Sequence, residues 1–496
     1  MQRKISYRVY LPVGLKEIIL DLLEKDPPEI RNFKRDKLFY ILSLLLEIPA
    51  RNKRGALSDK GFTNINTTLL RSYFYDYKVY IDYLKLHGIV LCDEHYIPEI
   101  KSKGYQLASE YGGLVRPAYI QNPELIRSIK RHRNEWYDST KKYGYLKKWI
   151  DGLKIDSVVA LEYIKQLYGL RIRNPKMCDW DLQRRRFKEP IEQYNSAYIN
   201  IQYLNEGRHH FFVDDRVGRL HTNLTNMQSD VRNFITWKGQ PLVSVDISNS
   251  QPFLSTLLFK PSFYSTGKGV GEKMTLFSFS GGFSFSFSSS SSYSGSSSSF
   301  SSGSSGSRPP LMLQKPLYHT EKEDVKLFID LVKKGQLYDY LSLAFKRELG
   351  VELTDRKNIK AAVFQVLFTD NRFIGQLEAA PKRIFRNLFP NVYDLFAAFK
   401  KQDSTFLPCL LQKIEARLIL DIITKRISKE KPKAPIFTIH DSITTTMDNL
   451  DYVKQVMHEE LEQHIGIAPN LKVEYWDGEQ VMEKLNARRI EIGLVG

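Results

Sequence analysis

Residues 241–251 read PLVSVDISNSQ. Pro241 to Asp246 alternates as a half-buried strand does, and ISNSQPFLSTLL after it has the look of a turn into a helix. A second strand-like stretch, PIFTIH at 435–440, leads into Asp441 and Ser442 and returns as ITTTM in hairpin fashion. Two strands thus each finish in an aspartate. Singly, Asp246 or Asp441 is an ordinary strand-end residue. If the strands are neighbours in one sheet, the carboxylates converge. Converging carboxylates with open coordination bind Mg²⁺ together with substrate phosphates. Two such ions, about 3.5–4 Å apart, clamp the attacking and leaving oxygens of phosphoryl transfer.

Between the strands, residues 356–368 read RKNIKAAVFQVLF. Arg356, Lys360, Phe364 and Phe368 recur every fourth residue, so on an α-helix they share one stripe about 18 Å long. Two cations followed by two aromatics suit a nucleoside triphosphate, the cations meeting phosphates and the rings meeting sugar and base. On spacing alone, an amphipathic helix with both rings in the core and the basic residues at its edge is the better reading. Upstream, DRVGRLHTNLTN at 215–226 places a Gly-Arg turn before small polar residues, a pattern that can track a nucleic-acid backbone.

Composition narrows the partner. The 496 residues carry 73 basic and 56 acidic side chains, a formal net charge of +17, which favours an acidic polymer or surface. The length corresponds to about three domains. Cys92, Cys178 and Cys409 lie far apart without a CxxC pair, which argues against a disulfide framework or a cysteine-built zinc site and fits a reducing compartment. No signal-like apolar region opens the sequence, and the longest apolar run, Leu38 to Leu45, is too short to span a bilayer. The expectation is a cytoplasmic protein with no membrane partner.

Residues 34–47 and 67–87 have helical spacing, and 88–108 holds two short β-type runs around a polar turn. Three helices and a β-ribbon fit either a winged helix, a nucleic-acid-binding module, or a plain bundle with a surface hairpin. Residues 122–190 read as helical and basic, ending in Arg184, Arg185 and Arg186, a run that ordinarily marks a solvated face. From Ser278 to Ser307, serine fills 19 of 30 positions and no residue is charged. Such a segment cannot bury enough apolar surface to offset chain entropy, so it reads as a disordered insertion.

In this order the segments resemble the polymerase module of family A DNA polymerases and the related phage-type single-subunit RNA polymerases. VDISNSQ resembles motif A, RKNIKAAVFQVLF motif B, and IHDS motif C. DRVGR matches a motif of the RNA enzymes. GRLHTNLTN is similar to a segment of the DNA enzymes with residues deleted. LLQKIEARLILDII at 410–423 sits where the family has a glutamine-bearing helix, and NLKVEYW at 470–476 has the family's strand-after-helix look. The resemblance covers roughly 200–496.

It implies an α+β fold, a right-hand palm with helical fingers, after a mostly helical N-terminal region. The layout would be a helical, nucleic-acid-binding domain over 1–120, a basic connector or thumb-like region over 121–199, and a first palm segment over 200–275. The serine-rich insertion (276–309), fingers (310–430) and a second palm segment (431–496) would follow. It also implies that Asp246 and Asp441 hold two Mg²⁺ ions while a 3′-hydroxyl attacks the α-phosphate. Lys360 would neutralise the triphosphate and protonate pyrophosphate, and Arg356 would clamp the β- and γ-phosphates. Phe364 would pack on the incoming nucleotide, with Phe368 near the templating base. Asp215, Arg219, Asn223, Asn226, Gln412 and His440 would meet the template–primer.

Departures from the pattern set the substrate. Gln251 stands where the DNA enzymes place a glutamate that gates against the ribose 2′-OH, and where the RNA enzymes have a small residue. Gln251 and Phe368 therefore lean toward dNTPs, while Ser442 and DRVGR lean toward the RNA enzymes. The expectation is a DNA polymerase acting in replication. An RNA polymerase or primase-like enzyme is the alternative, and an inactive nucleic-acid-binding replication factor stands behind both.

Overall fold

A computed structural model of the chain describes residues 5–51, 57–58, 60–94, 102–138, 141–181, 184, 186–264, 274–276, 321–349, 356–372, 374–401 and 403–491. The serine-rich stretch expected at 276–309 lies outside the described residues, apart from Leu276. The chain mixes α and β structure, with helix predominating and strands paired antiparallel. It divides into two units, Met1–Val213 with His221–Val243 and Tyr475–Gly496, and Asp214–Leu220 with Ser244–Glu474.

In the first unit, the strand Tyr7–Pro12 pairs along its length with Val115–Ile120, from Tyr7↔Ile120 to Pro12↔Val115. Helix Arg35–Arg51 carries the longest apolar run of the sequence, and Leu38 to Leu45 are all buried, as so continuous a run requires. A strand, Thr63–Asn64, precedes the helices Thr67–Tyr73 and Tyr77–Leu86, and the strands Val90–Cys92 and Gly104–Leu107 follow them. Gly104–Leu107 lies between the other two strands. Asn66 starts its helix by accepting a hydrogen bond from Thr68 N at 2.7 Å, the usual N-cap bond.

Residues 122–190 are less uniformly helical than their composition implies. Helices Pro123–Asp138 and Ser157–Arg173 are present, but Leu153–Ile155 is a strand that pairs with Ile235–Trp237. Trp180–Asp181 and Arg186–Phe187 form a hairpin. Ile235–Trp237 turns back into the strand Gln240–Ile247 through Lys238 and Gly239, both at positive φ, as a two-residue I′-type hairpin turn needs. Helix Gly478–Glu491 returns to Ser157–Arg173, where Arg489 donates to Gln166 Oε1 at 2.8 Å.

The second unit has an aromatic helical core. Phe259, Phe328, Phe385, Phe389 and Phe396 interlock with ring centroids 5.1–6.4 Å apart, mostly tilted or edge-on, as ring quadrupoles favour. Beside this core, the strand Phe437–Ile439 runs antiparallel to Ser442–Thr446, with Ile439 opposite Ser442. Ser442–Thr446 is the sheet neighbour of Gln240–Ile247, and the buried hydroxyls of Ser244 and Thr444 meet at 2.7 Å. The strand Leu471–Tyr475 also pairs with Gln240–Ile247.

One close approach in the first unit depends on a missing side chain. A Cβ on Gly152 would collide with the indole of Trp237, whose N–H donates to Trp149 O at 3.1 Å. Gly152→Ala should lower unfolding free energy by about 1–3 kcal/mol in urea titrations, the usual cost of overpacking.

Candidate functional site

The site lies in the second unit. Asp246 sits near the end of the strand Gln240–Ile247, followed by a turn whose Asn249 has φ +54° and starts helix Ser250–Ser255. His440 and Asp441 link the two strands of the hairpin, with His440 at φ +56°. Non-glycine residues rarely adopt this left-handed region, and such strain collects at working sites. Here one such residue lies three positions after Asp246 and another directly precedes Asp441.

The two aspartates feel each other. Burial pushes the Asp246 carboxyl up to about 7, the Asp441 charge adds to the rise, and Lys360 opposes it. Glu474 raises it further and Lys472 lowers it. Two partly covered carboxylates thus act on each other, with Lys360 and Lys472 in electrostatic reach. Among the described residues, no group of three or more His, Cys, Asp and Glu side chains is placed to hold a metal ion.

A third carboxylate lies within range of both. Glu415, on helix Phe406–Ala416, has a side chain only 1% exposed. It accepts from Arg219 twice, Nε to Oε1 at 2.9 Å and Nη2 to Oε2 at 2.7 Å, and from Gln251 Nε2 at 2.7 Å. Burial pushes its carboxyl up to about 7, Arg219 opposes that, and Asp441 and Asp246 add to it. Arg219 is delivered by a tight turn at Gly218, φ +73°. Asp214 builds that turn: its carboxylate accepts from Val217 N at 2.8 Å and Arg219 N at 3.0 Å. Directly after Ala416 the helix widens into a π-helical stretch, Arg417–Ile423, before resuming as Thr424–Glu430. Such stretches are rare and often mark functional sites.

Gln251 is buried, and with its amide nitrogen given to Glu415 its Oε1 has no hydrogen-bond partner among the described residues. Both amide atoms of buried Asn249 also lack one there. Buried polar groups are almost always satisfied, so these atoms, five residues or fewer past Asp246, are open to water or to a ligand.

No family model matches the chain, and no curated protein matches it. Among solved structures it is similar to the POL domain of Pol1 from M. smegmatis, in a complex with DNA primer-template and dNTP. The identity is 12% and the TM-score 0.36, over 72% of this chain and 73% of that chain. So distant a likeness does not assign an activity.

Helix Arg356–Phe368 carries the expected stripe. Lys360 is exposed, with Nζ 5.5 Å from the centroid of the Phe364 ring. Phe364 and Phe368 are half-buried and stand edge-on at 5.1 Å. Arg356 opens the helix, and its side chain lies outside the described residues. Two buried lysines hold the other end. Lys382 Nζ donates to Thr369 O at 3.2 Å and Asp370 O at 2.9 Å, and Lys400 Nζ donates to Val366 O and, at 3.1 Å, to Thr369 O. Burial, and then the neighbouring Lys382, push the Lys400 ammonium down to about 7.

Asp215 is exposed, while its neighbour Asp214 caps the turn. Gln412 and His440 are half-buried. Asn223 and Asn226 belong to the first unit. There Asn223 accepts from His210 N at 3.0 Å and donates to Arg208 O at 3.0 Å, and Asn226 meets His210 Nε2 at 2.7 Å. Glu415 was not singled out from sequence, although a lone acid within LLQKIEARLIL is a readable anomaly. Nothing in the sequence marks Lys382 or Lys400 as buried.

The raised carboxyl of Asp246 has a direct consequence in metal-free buffer. Its stabilising contribution is fully present below its unfolded value of 3.8 and is lost as pH rises through about 7. Thermal melts in chelator should show stability falling over this window, and Asp246→Asn should flatten the fall.

Proposed function

We propose that the chain is a template-directed nucleotidyltransferase that extends a 3′-hydroxyl, with DNA synthesis in replication the first reading. The observation that supports it is the pairing of Asp246 with Asp441 at the ends of neighbouring strands, electrostatically coupled to each other and to Lys360. A palm built on these strands, with fingers that include helix Arg356–Phe368, is the architecture we infer for the second unit.

The donor set fits Mg²⁺. Asp246 is driven toward its protonated form by burial and by Asp441, so a divalent cation relieves a repulsion already built in. Asp246 and Asp441 would hold the two ions, which when bound supply charge stabilisation to the transferring phosphoryl group. Lys360, exposed and beside the acidic pair, meets the triphosphate and holds a proton for the leaving pyrophosphate. Arg356, at the helix start, adds a bidentate phosphate contact. Phe364 offers an aromatic face to the nucleotide, with Phe368 stacked edge-on behind it. Gln251, held by Glu415, presents its unpaired Oε1 to the sugar. Arg219 acts on the primer side through Glu415, while Asp215, Gln412 and His440 are the proposed contacts to template–primer. Asn223 and Asn226, bonded to Arg208 and His210, are the further proposed contacts to nucleic acid.

The first unit supports a nucleic-acid role as well. Its order of helix, strand, two helices and two strands, with the last strand central in the sheet, is what a winged helix requires. Helix Tyr77–Leu86, which exposes Lys78, Val79, Asp82 and Leu86, would face DNA.

RNA synthesis is the second reading, favoured by Ser442, which donates to Ile439 O at 3.0 Å and leaves Asp441 without a neighbouring acid in the turn. Primer extension on a DNA template with Mg²⁺, run with dNTPs and rNTPs in parallel, separates the two. Asp441→Asn should abolish product with either substrate, and Gln251→Ala should raise rNTP use relative to dNTP use. Product undiminished in Asp441→Asn would refute the assignment. Mg²⁺ should also raise the melting temperature more at about pH 8 than at about pH 6, because binding displaces the proton from Asp246, and Asp246→Asn should lose that difference.

A further inference from the structure

Within the basic run at 184–186, Arg184 is not on a solvated face, Arg186 is exposed, and Arg185 lies outside the described residues. The side chain of Arg184 is 3% exposed. It donates to Asp181 Oδ2 at 2.8 Å and, as a fork, to both oxygens of Glu192 at 2.7 and 2.8 Å, while its backbone N–H donates to Asp181 Oδ1 at 3.0 Å. This arginine fastens the hairpin of Trp180–Asp181 and Arg186–Phe187 to the start of helix Pro190–Asn205. Lys188 N donates to Asp179 O at 2.9 Å and lengthens the ladder.

The fastened hairpin exposes two aromatic rings. Trp180 and Phe187 are opposite each other in register, so their side chains leave the same face. Trp180 is 50% exposed and Phe187 38%, and the rings meet edge-on at 5.0 Å. Exposed tryptophan is costly, and here it is held out by a strand pair that Arg184 ties to the following helix. From Arg171 to Glu192 the sequence carries seven Arg or Lys against two Asp and two Glu. Arg184 is spent on Asp181 and Glu192, and Arg186 pairs with Glu189, while Arg173 and Lys176 are exposed cations of the segment that leads into Trp180. Aromatic rings on a cationic surface match the bases and phosphates of an unpaired strand, because every base has a face to stack and every nucleotide carries a charge. A paired duplex offers the charge but hides its base faces.

We propose that the Trp180–Phe187 hairpin is a stacking platform for single-stranded nucleic acid. The binding is independent of nucleotide addition and goes beyond the site at Asp246 and Asp441. It is sugar-tolerant, salt-dependent and weak for blunt duplex.

The test is fluorescence anisotropy with labelled dT20 and with a blunt duplex of equal length, using the full chain and its Asp246→Asn variant. Trp180→Ala and Phe187→Ala should each weaken dT20 binding by roughly tenfold, the scale of one lost stacking contact, and leave duplex binding unchanged. Trp180→Tyr should retain most of the affinity, and dT20 should quench tryptophan emission less in Trp180→Tyr than in the parent. Circular dichroism melts of the variants should match the parent. Unchanged dT20 affinity in both alanine variants, an equal loss on duplex, or a change of oligomeric state in the variants would overturn the proposal, the last by assigning the face to a second copy of the chain. Because no outcome depends on synthesis, a failure here is distinct from a failure of the polymerase reading.

Discussion

The carboxylate of Glu415 is the constraint on which the site depends. It is nearly inaccessible to water, so its charge is tolerable only because Arg219 grips both oxygens and Gln251 adds a further donor. That demand fixes three segments at once: the Gly218 turn, the residues after Asp246, and the helix that leads into the π-helical stretch. Each would otherwise be free to choose a rotamer or a register. The orphaned oxygen of Gln251 follows directly, since a side-chain amide that spends its nitrogen on Glu415 must point its carbonyl elsewhere.

Around this knot the electrostatics are uneven. Asp246, Asp441 and Glu415 influence one another, with Glu474 adding to the repulsion at Asp246, and Arg219, Lys360 and Lys472 oppose them. Arg219 is committed to Glu415, whereas Lys360 is exposed on its helix. The repulsion left unbalanced therefore falls on Asp246, whose carboxyl is pushed up by burial and by Asp441. The far end of the same helix shows the opposite imbalance, two buried ammonium groups on carbonyl oxygens with no carboxylate bonded to them among the described residues. Helix carbonyl ends attract cations, and the pair anchors that terminus while leaving the Lys360 end accessible.

Much of the site was legible because its parts are local patterns. Period-two alternation revealed the strands ending at Asp246 and Asp441, and a four-residue period revealed the Lys360 stripe. What was illegible involves long sequence separations. Glu415 finds Arg219 across 196 residues and Gln251 across 164, distances over which no periodicity carries information. The motif spacing names Asp215, while the turn itself is held by Asp214, whose carboxylate reaches two backbone N–H groups. The strand Leu153–Ile155 was read as helix because its partner, Ile235–Trp237, lies some 80 residues on. The burial of Arg184 was hidden for the same kind of reason: a basic run looks solvated until Glu192 is placed beside it.

The chain passes between its two units four times, after Val213, Leu220, Val243 and Glu474. The helix Gly478–Glu491, which rests on Ser157–Arg173, is separated from that surface by the whole of the second unit's sequence. On a ribosome, the second unit is therefore fully synthesised before the first has all its parts. The surface of Ser157–Arg173 must wait without its covering helix through more than two hundred codons, and a shortened transcript that ends inside the second unit would leave both units incomplete.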